Sequence, residues 1–98
     1  MQFVVETVVD AVNFDGDVTA LASRAQEGDQ GAISELTRAH AALAMLTGIR
    51  LRPAWLSQED AAQEAMLVLT RIVQRGTERI AAELPAAIEA RFDTLEKP

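Results

Sequence analysis

The stretch that most constrains this chain is Ser57 to Val73, SQEDAAQEAMLVLTRIV. It carries a start signal, a polar first turn, a helical apolar stripe and a stop. Ser57 is placed to accept from the free amides at the head of a helix. Asp60, three residues on, stands where a capping-box partner would reach back, although Glu or Gln is the usual choice. Gln58, Glu59 and Asp60 put acceptors and negative charge where the helix dipole favours them. Ala62, Ala65, Met66, Leu69, Ile72 and Val73 then recur at three- and four-residue spacing, which predicts one buried face. Asp60, Gln63, Glu64 and Arg71 lie off that face, and Gly76 ends the helix.

The rest of the chain must supply what that face packs against. With 98 residues it can build one domain around one modest core. Nearly half of it is apolar, much of that alanine, and only 4% is aromatic, which suits closely packed helices better than a sheet. The expectation is an all-α bundle of four or five helices in a single domain, with 1–16 as an N-terminal extension and 17–96 as the helical core.

Several chemistries are excluded early. The chain has no cysteine and one histidine, so a thiolate site or an ordinary zinc site is not expected. No Gly-rich phosphate loop, His-Glu-x-x-His pair or nucleophile elbow occurs. Glu59 and Asp60 are adjacent carboxylates on a helix, pointing apart in a polar first turn that keeps them ionised. No catalytic residue, metal ligand or cofactor is expected, and the chain does not read as an enzyme. Fifteen acidic residues against nine basic give a formal charge of −6, which favours a basic partner over a sequence-independent grip on nucleic acid. The start has no positively charged region, and no run approaches the roughly 20 apolar residues that span a bilayer. A cytoplasmic protein without a membrane partner is therefore the default expectation.

Taken in order, Val4, Val5, Val8, Val9 and Val12 fit a helical stripe, with Gln2, Glu6, Asp10 and Asn13 opposite. The same β-branched residues fit a strand, the less favoured reading. This segment is either an extra layer on the core or the seam of a homodimer. After the turn-rich Asn13-Phe14-Asp15-Gly16-Asp17, Asp17 is placed to cap a helix from Val18 to Glu27, with Leu21 and Ala25 inward. Gly28 stops it and Asp29 caps the next, a tight corner of the helix-turn-helix kind. The helix after the corner offers Glu35, Arg38 and His40 rather than a basic reading face. It is expected to run from Gln30 to about Thr47, with Ile33, Leu36, Ala39, Leu43 and Leu46 buried and Gly48 closing it. His40 has no catalytic companion one turn away and reads as a packed or half-exposed side chain. Ile49 to Leu56 reads as a connector anchored by Trp55, and Arg50 and Arg52 in it could touch phosphate or pair with surplus acids. Past Gly76, Thr77 is expected to cap a last helix beginning at Glu78, with Ile80, Leu84, Ile88, Phe92 and Leu95 on one side. Pro85 within it either kinks or restarts the helix.

Two stretches in this order resemble a known family. Leu21 to Leu51, with Gly28, Asp29, Ala32, Leu36 and His40, resembles the opening of the polymerase-binding domain (region two) of small bacterial sigma factors of the extracytoplasmic-function type. Residues 59–69, EDAAQEAMLVL, are similar to that family's Glu-Asp-x-x-Gln-Glu-x-Phe-Leu-x-Leu helix. The resemblance covers roughly residues 18–75. It implies a transcription module of bacterial or phage origin that docks on the clamp helices of the largest RNA polymerase subunit through Asp60, Gln63 and Glu64.

The chain also departs from the family. Thr70 stands where the family usually has tryptophan, and Met66 where it has phenylalanine. Beyond Thr77, family members use basic and aromatic residues to open promoter DNA and hold flipped bases. The candidates here are Arg79, Arg91 and Phe92, outweighed by acids. Docking is implied; promoter recognition by this chain alone is not. Three alternatives stay open beside it: a solvated helix face, a helical interaction or homodimer module that uses the Val-rich N-terminal segment and binds no nucleic acid, and a DNA-binding corner at Gly28-Asp29.

Overall fold

The computed structural model describes residues 18–97. Four helices and no strand occur among them: α1, Val18–Gln26; α2, Gln30–Leu51; α3, Gln58–Gln74; and α4, Ile80–Asp93. The all-α expectation holds, as a four-helix bundle over these residues. The valine-rich stretch of residues 4–12, with its helix-or-strand and homodimer expectations, lies outside the described residues.

Local chemistry explains most of the ends. Gly28 and Gly76 have φ of +91° and +78°, a left-handed conformation that glycine adopts without a Cβ penalty. Asp29 caps α2, its Oδ1 accepting from the Ala32 amide at 3.1 Å. Its other oxygen accepts from Arg24 Nε at 2.9 Å across the corner. The Ala32 amide first, and then Arg24, hold the Asp29 carboxyl below its ordinary range, because both favour the charged form. Ser57 Oγ accepts from the Asp60 amide at 3.1 Å and caps α3. Asp60 does not complete a capping box: its carboxylate makes no return bond to Ser57 and stays exposed.

The core differs from the sequence expectation in four places. First, α2 does not close at Gly48 but runs on to Leu51, and the connector shortens accordingly. Gly48 is buried inside the helix, where a Cβ would lie 2.7 Å from Ala65 Cβ and 2.9 Å from the Ala61 carbonyl oxygen. A glycine in mid-helix is normally unfavourable by about 1 kcal/mol relative to alanine. Here it lets the backbones of α2 and α3 approach, and these two helices share the most extensive interface of the bundle.

Second, the buried stripe of α2 is Ala32, Leu36, His40, Ala44, Thr47 and Gly48, rotated from the predicted one. Ile33 and Leu43 are only partly buried, and Leu46 is 58% exposed. His40 is packed: its Nδ1 donates to the Leu36 carbonyl at 2.8 Å. Third, α3 buries Ala61, Ala65, Val68, Leu69, Ile72 and Val73, so Ala61 and Val68 take the places expected for Ala62 and Met66. Fourth, α4 starts at Ile80 after Arg79, not at Glu78 after Thr77. Thr77 Oγ1 accepts from the Arg79 amide at 3.2 Å and donates to Glu83 Oε2 at 2.7 Å, which ties the loop to the first turn of α4. Ile80, Leu84, Ile88 and Phe92 are buried as expected, and α4 continues through Pro85.

The α2–α3 approach yields a direct test. Gly48→Ala, normally neutral or favourable inside a helix, is expected to destabilise the protein by about 1–3 kcal/mol through overpacking. Urea unfolding followed by the fluorescence of Trp55 reads this, and an unchanged or raised midpoint would show that the helices separate without cost.

Candidate functional site

The buried residues of α3 fix which of its side chains meet solvent. With Ala61, Ala65, Leu69 and Ile72 held in the core, Asp60 and Gln63 are exposed on the first two turns. Glu59 is exposed beside them. The connector holds this end of α3 from behind: Arg52 donates through Nη1 to the Leu56 carbonyl at 2.8 Å, and Leu56 is buried. The polar turn is thus a rigid acceptor surface on a helix N-terminus, where charge-assisted hydrogen bonds to a cationic partner are the strong ones.

Glu64 is not presented in the same way. Its Oε1 accepts from Arg91 Nε of α4 at 2.6 Å, with the two side chains only 22% and 28% exposed. The sequence expectation placed Glu64 on a partner and Arg91 on nucleic acid; the fold joins them to each other. Phe92 changes as well. It is 5% exposed, a core residue rather than a ring on which a base could stack. Arg79 is exposed and forms no ion pair among the described residues. Of the six residues expected to meet partners, Asp60, Gln63 and Arg79 are presented to solvent, while Glu64, Arg91 and Phe92 are used within the bundle.

The fold also exposes side chains that the sequence reading did not select. Met45 of α2 and Leu67 of α3 are 37% and 48% exposed, and both line a shallow groove with Gln63 and Glu64. Met45, Met66 and Leu67 give this groove an apolar surface, with Gln63 and Glu64 at its polar margin. The signal was present at Leu67, which falls off the core stripe of α3, but an isolated exposed leucine carries little information. On the opposite side of α3, Arg71, Arg75 and Arg91 rim a second groove whose floor includes Val68 and Ile72. Arg75 also contacts Glu83 at 3.3 Å, an exposed pair of small energetic weight.

No group of three or more His, Cys, Asp or Glu side chains among the described residues is arranged to hold a metal ion. Among the same residues, no helix is long and apolar enough to cross a membrane. Compared with protein-family models, curated proteins and solved structures, the chain gives no match.

Of the two ion pairs that join α3 and its C-cap to α4 among the described residues, Glu64–Arg91 is the shorter and the less exposed. A double-mutant cycle with Glu64→Gln and Arg91→Met is expected to give a coupling of about 1 kcal/mol, decreasing in high salt. A coupling indistinguishable from zero would return Glu64 to the set of side chains free for a partner.

Proposed function

We propose that this chain is a sigma-factor-like docking module that binds bacterial RNA polymerase through the exposed polar face at the head of α3. The observation that carries the reading is the placement of Asp60 and Gln63, exposed on a turn whose reverse side is locked in the core. The identity of the partner rests on the resemblance of residues 21–51 and 59–69 to region two of small sigma factors. The charge balance supports it, since an acidic chain with exposed acceptors suits a basic helical surface on the clamp. Electrostatic contacts of this kind chiefly raise the association rate and fix register, while apolar contacts at Met45 and Leu67 beside them would supply affinity.

Promoter contact is not part of this reading. Phe92 is withdrawn into the core and Arg91 is neutralised by Glu64, which leaves Arg79 without a stacking platform beside it. A cation alone can hold a phosphate but does not read or splay bases. The module would therefore act through the polymerase, as a regulator or as one piece of an initiation factor.

The test is a pull-down with core polymerase using the full chain and an Asp60→Arg/Gln63→Ala variant. Glu64 is left intact because it holds Arg91. Retention is expected to fall at least tenfold, with circular dichroism and unfolding midpoint nearly unchanged because both positions are exposed. Equal retention of both proteins, or of neither, would remove the proposed face.

A further inference from the structure

We propose that the groove between α3 and α4 docks an acidic peptide segment of a partner protein, with an aliphatic side chain between its carboxylates. Three guanidinium groups, those of Arg71, Arg75 and Arg91, stand around this groove, and among the described residues no carboxylate lines it. These are three of the nine basic residues in a chain that carries fifteen acidic ones. Like charges around one depression repel each other, and an anionic occupant relieves the repulsion. A cation near a helix C-terminus is favourable by itself, which accounts for Arg71 on the last turn of α3. It does not account for the convergence of Arg71 and Arg75 with an arginine from another helix.

The ion pairs already made leave these arginines able to bind more. Glu64 accepts from Nε of Arg91, so the terminal nitrogens of that guanidinium remain for a second carboxylate. Arg75 meets Glu83 through Nη2 at 3.3 Å, an exposed contact that a better-placed carboxylate can replace. Arg71 is exposed and forms no ion pair among the described residues. The guanidinium fork matches a carboxylate, and two parallel bonds to one carboxylate are the strong arrangement.

Between the arginines the lining is aliphatic: Val68 and Ile72 from α3, Ala87 and Ala90 from α4. Arginine stems can cover an apolar guest there while their heads hold its charges. From Val68 to Arg75 the groove follows seven residue steps of helix, about 10 Å, the length of three extended residues. The segment that fits is therefore short, one aliphatic residue with a carboxylate on each side. Nucleic acid is the poorer match. Its phosphates would suit the arginines, but among the described residues no aromatic ring lines the groove for a base to stack on. Asp60 and Gln63 do not line it either, so the inference stands apart from the polymerase reading.

The probe is a fluorescein-labelled synthetic peptide, Glu-Asp-Leu-Asp-Glu, titrated with the full chain at low salt and followed by anisotropy. Saturable binding is expected, weakened at least tenfold by Arg71→Gln/Arg75→Gln, both exposed positions whose change leaves the core intact. Arg38→Gln/Arg79→Gln removes the same charge from exposed positions outside the groove and is expected to bind as the parent does. Replacing the acids of the peptide by their amides, or its leucine by serine, is expected to weaken binding severalfold. Equal loss in the two double variants would overturn the proposal, because net charge alone would then explain binding. Equal affinity for the amide or the serine peptide would overturn it as well, as would failure of the acidic peptide to saturate at millimolar chain. Tighter binding of an oligothymidylate would overturn it in favour of nucleic acid. The assay contains no polymerase, so its failure is distinct from a failure of the docking face on α3.

Discussion

The structure depends on how closely α2 and α3 approach. At Gly48 there is no room for a Cβ, because Ala65 and the Ala61 backbone occupy the space it would need. Small buried residues on both sides of this contact bring two long helices together without large side chains between them. Dispersion contacts are short-ranged, so a tight seam of alanine and glycine gains in contact density what it lacks in side-chain area. Larger residues complete the core: Leu36, Leu69 and Ile72, with Ile80, Leu84 and Ile88 from the last helix. This explains how a chain with so few aromatic residues sustains a core at all.

The same seam determines what faces outward. Once Ala61 and Ala65 are fixed against α2, the helical repeat leaves Asp60 and Gln63 no inward option. The Ser57 cap and the Arg52–Leu56 contact fix the head of α3 from the other end. Three ion pairs form within the bundle among the described residues: Arg24 with Asp29, Arg75 with Glu83, and Arg91 with Glu64. Glu59 and Asp60, at the start of α3, are exposed and form no ion pair among the described residues.

Much of this was legible in the sequence because it is local. Asp29 and Ser57 cap helices, and Gly28 and Gly76 end them, because each acts on backbone groups within a few residues of itself. What failed was decided at a distance. Gly48 resembles a helix stop, and only Ala61 and Ala65 of another helix show that it is a packing position. The stripe of α3 was displaced because alanine is apolar on every face and gives the periodicity little direction, so Ala61 and Ala62 could not be told apart. Glu64 and Arg91 are 27 residues apart, and nothing in their neighbourhoods announces the ion pair that joins them. Phe92 lies on the inner stripe of its helix, as its spacing predicts, and that placement is incompatible with stacking on a base. Burial and function compete for one ring, and the core holds it.

On the proposal that the head of α3 is a docking face, the reverse side of that face is the α2–α3 seam. The most direct measurement is amide chemical-shift mapping of the isotopically labelled full chain titrated with the clamp helical hairpin of RNA polymerase. The largest perturbations are expected at Glu59, Asp60 and Gln63, extending to Leu67, with Arg79 and the last turn of α4 nearly unmoved. Perturbations centred on Arg71, Arg75 and Arg79, or none at saturating hairpin, would contradict it.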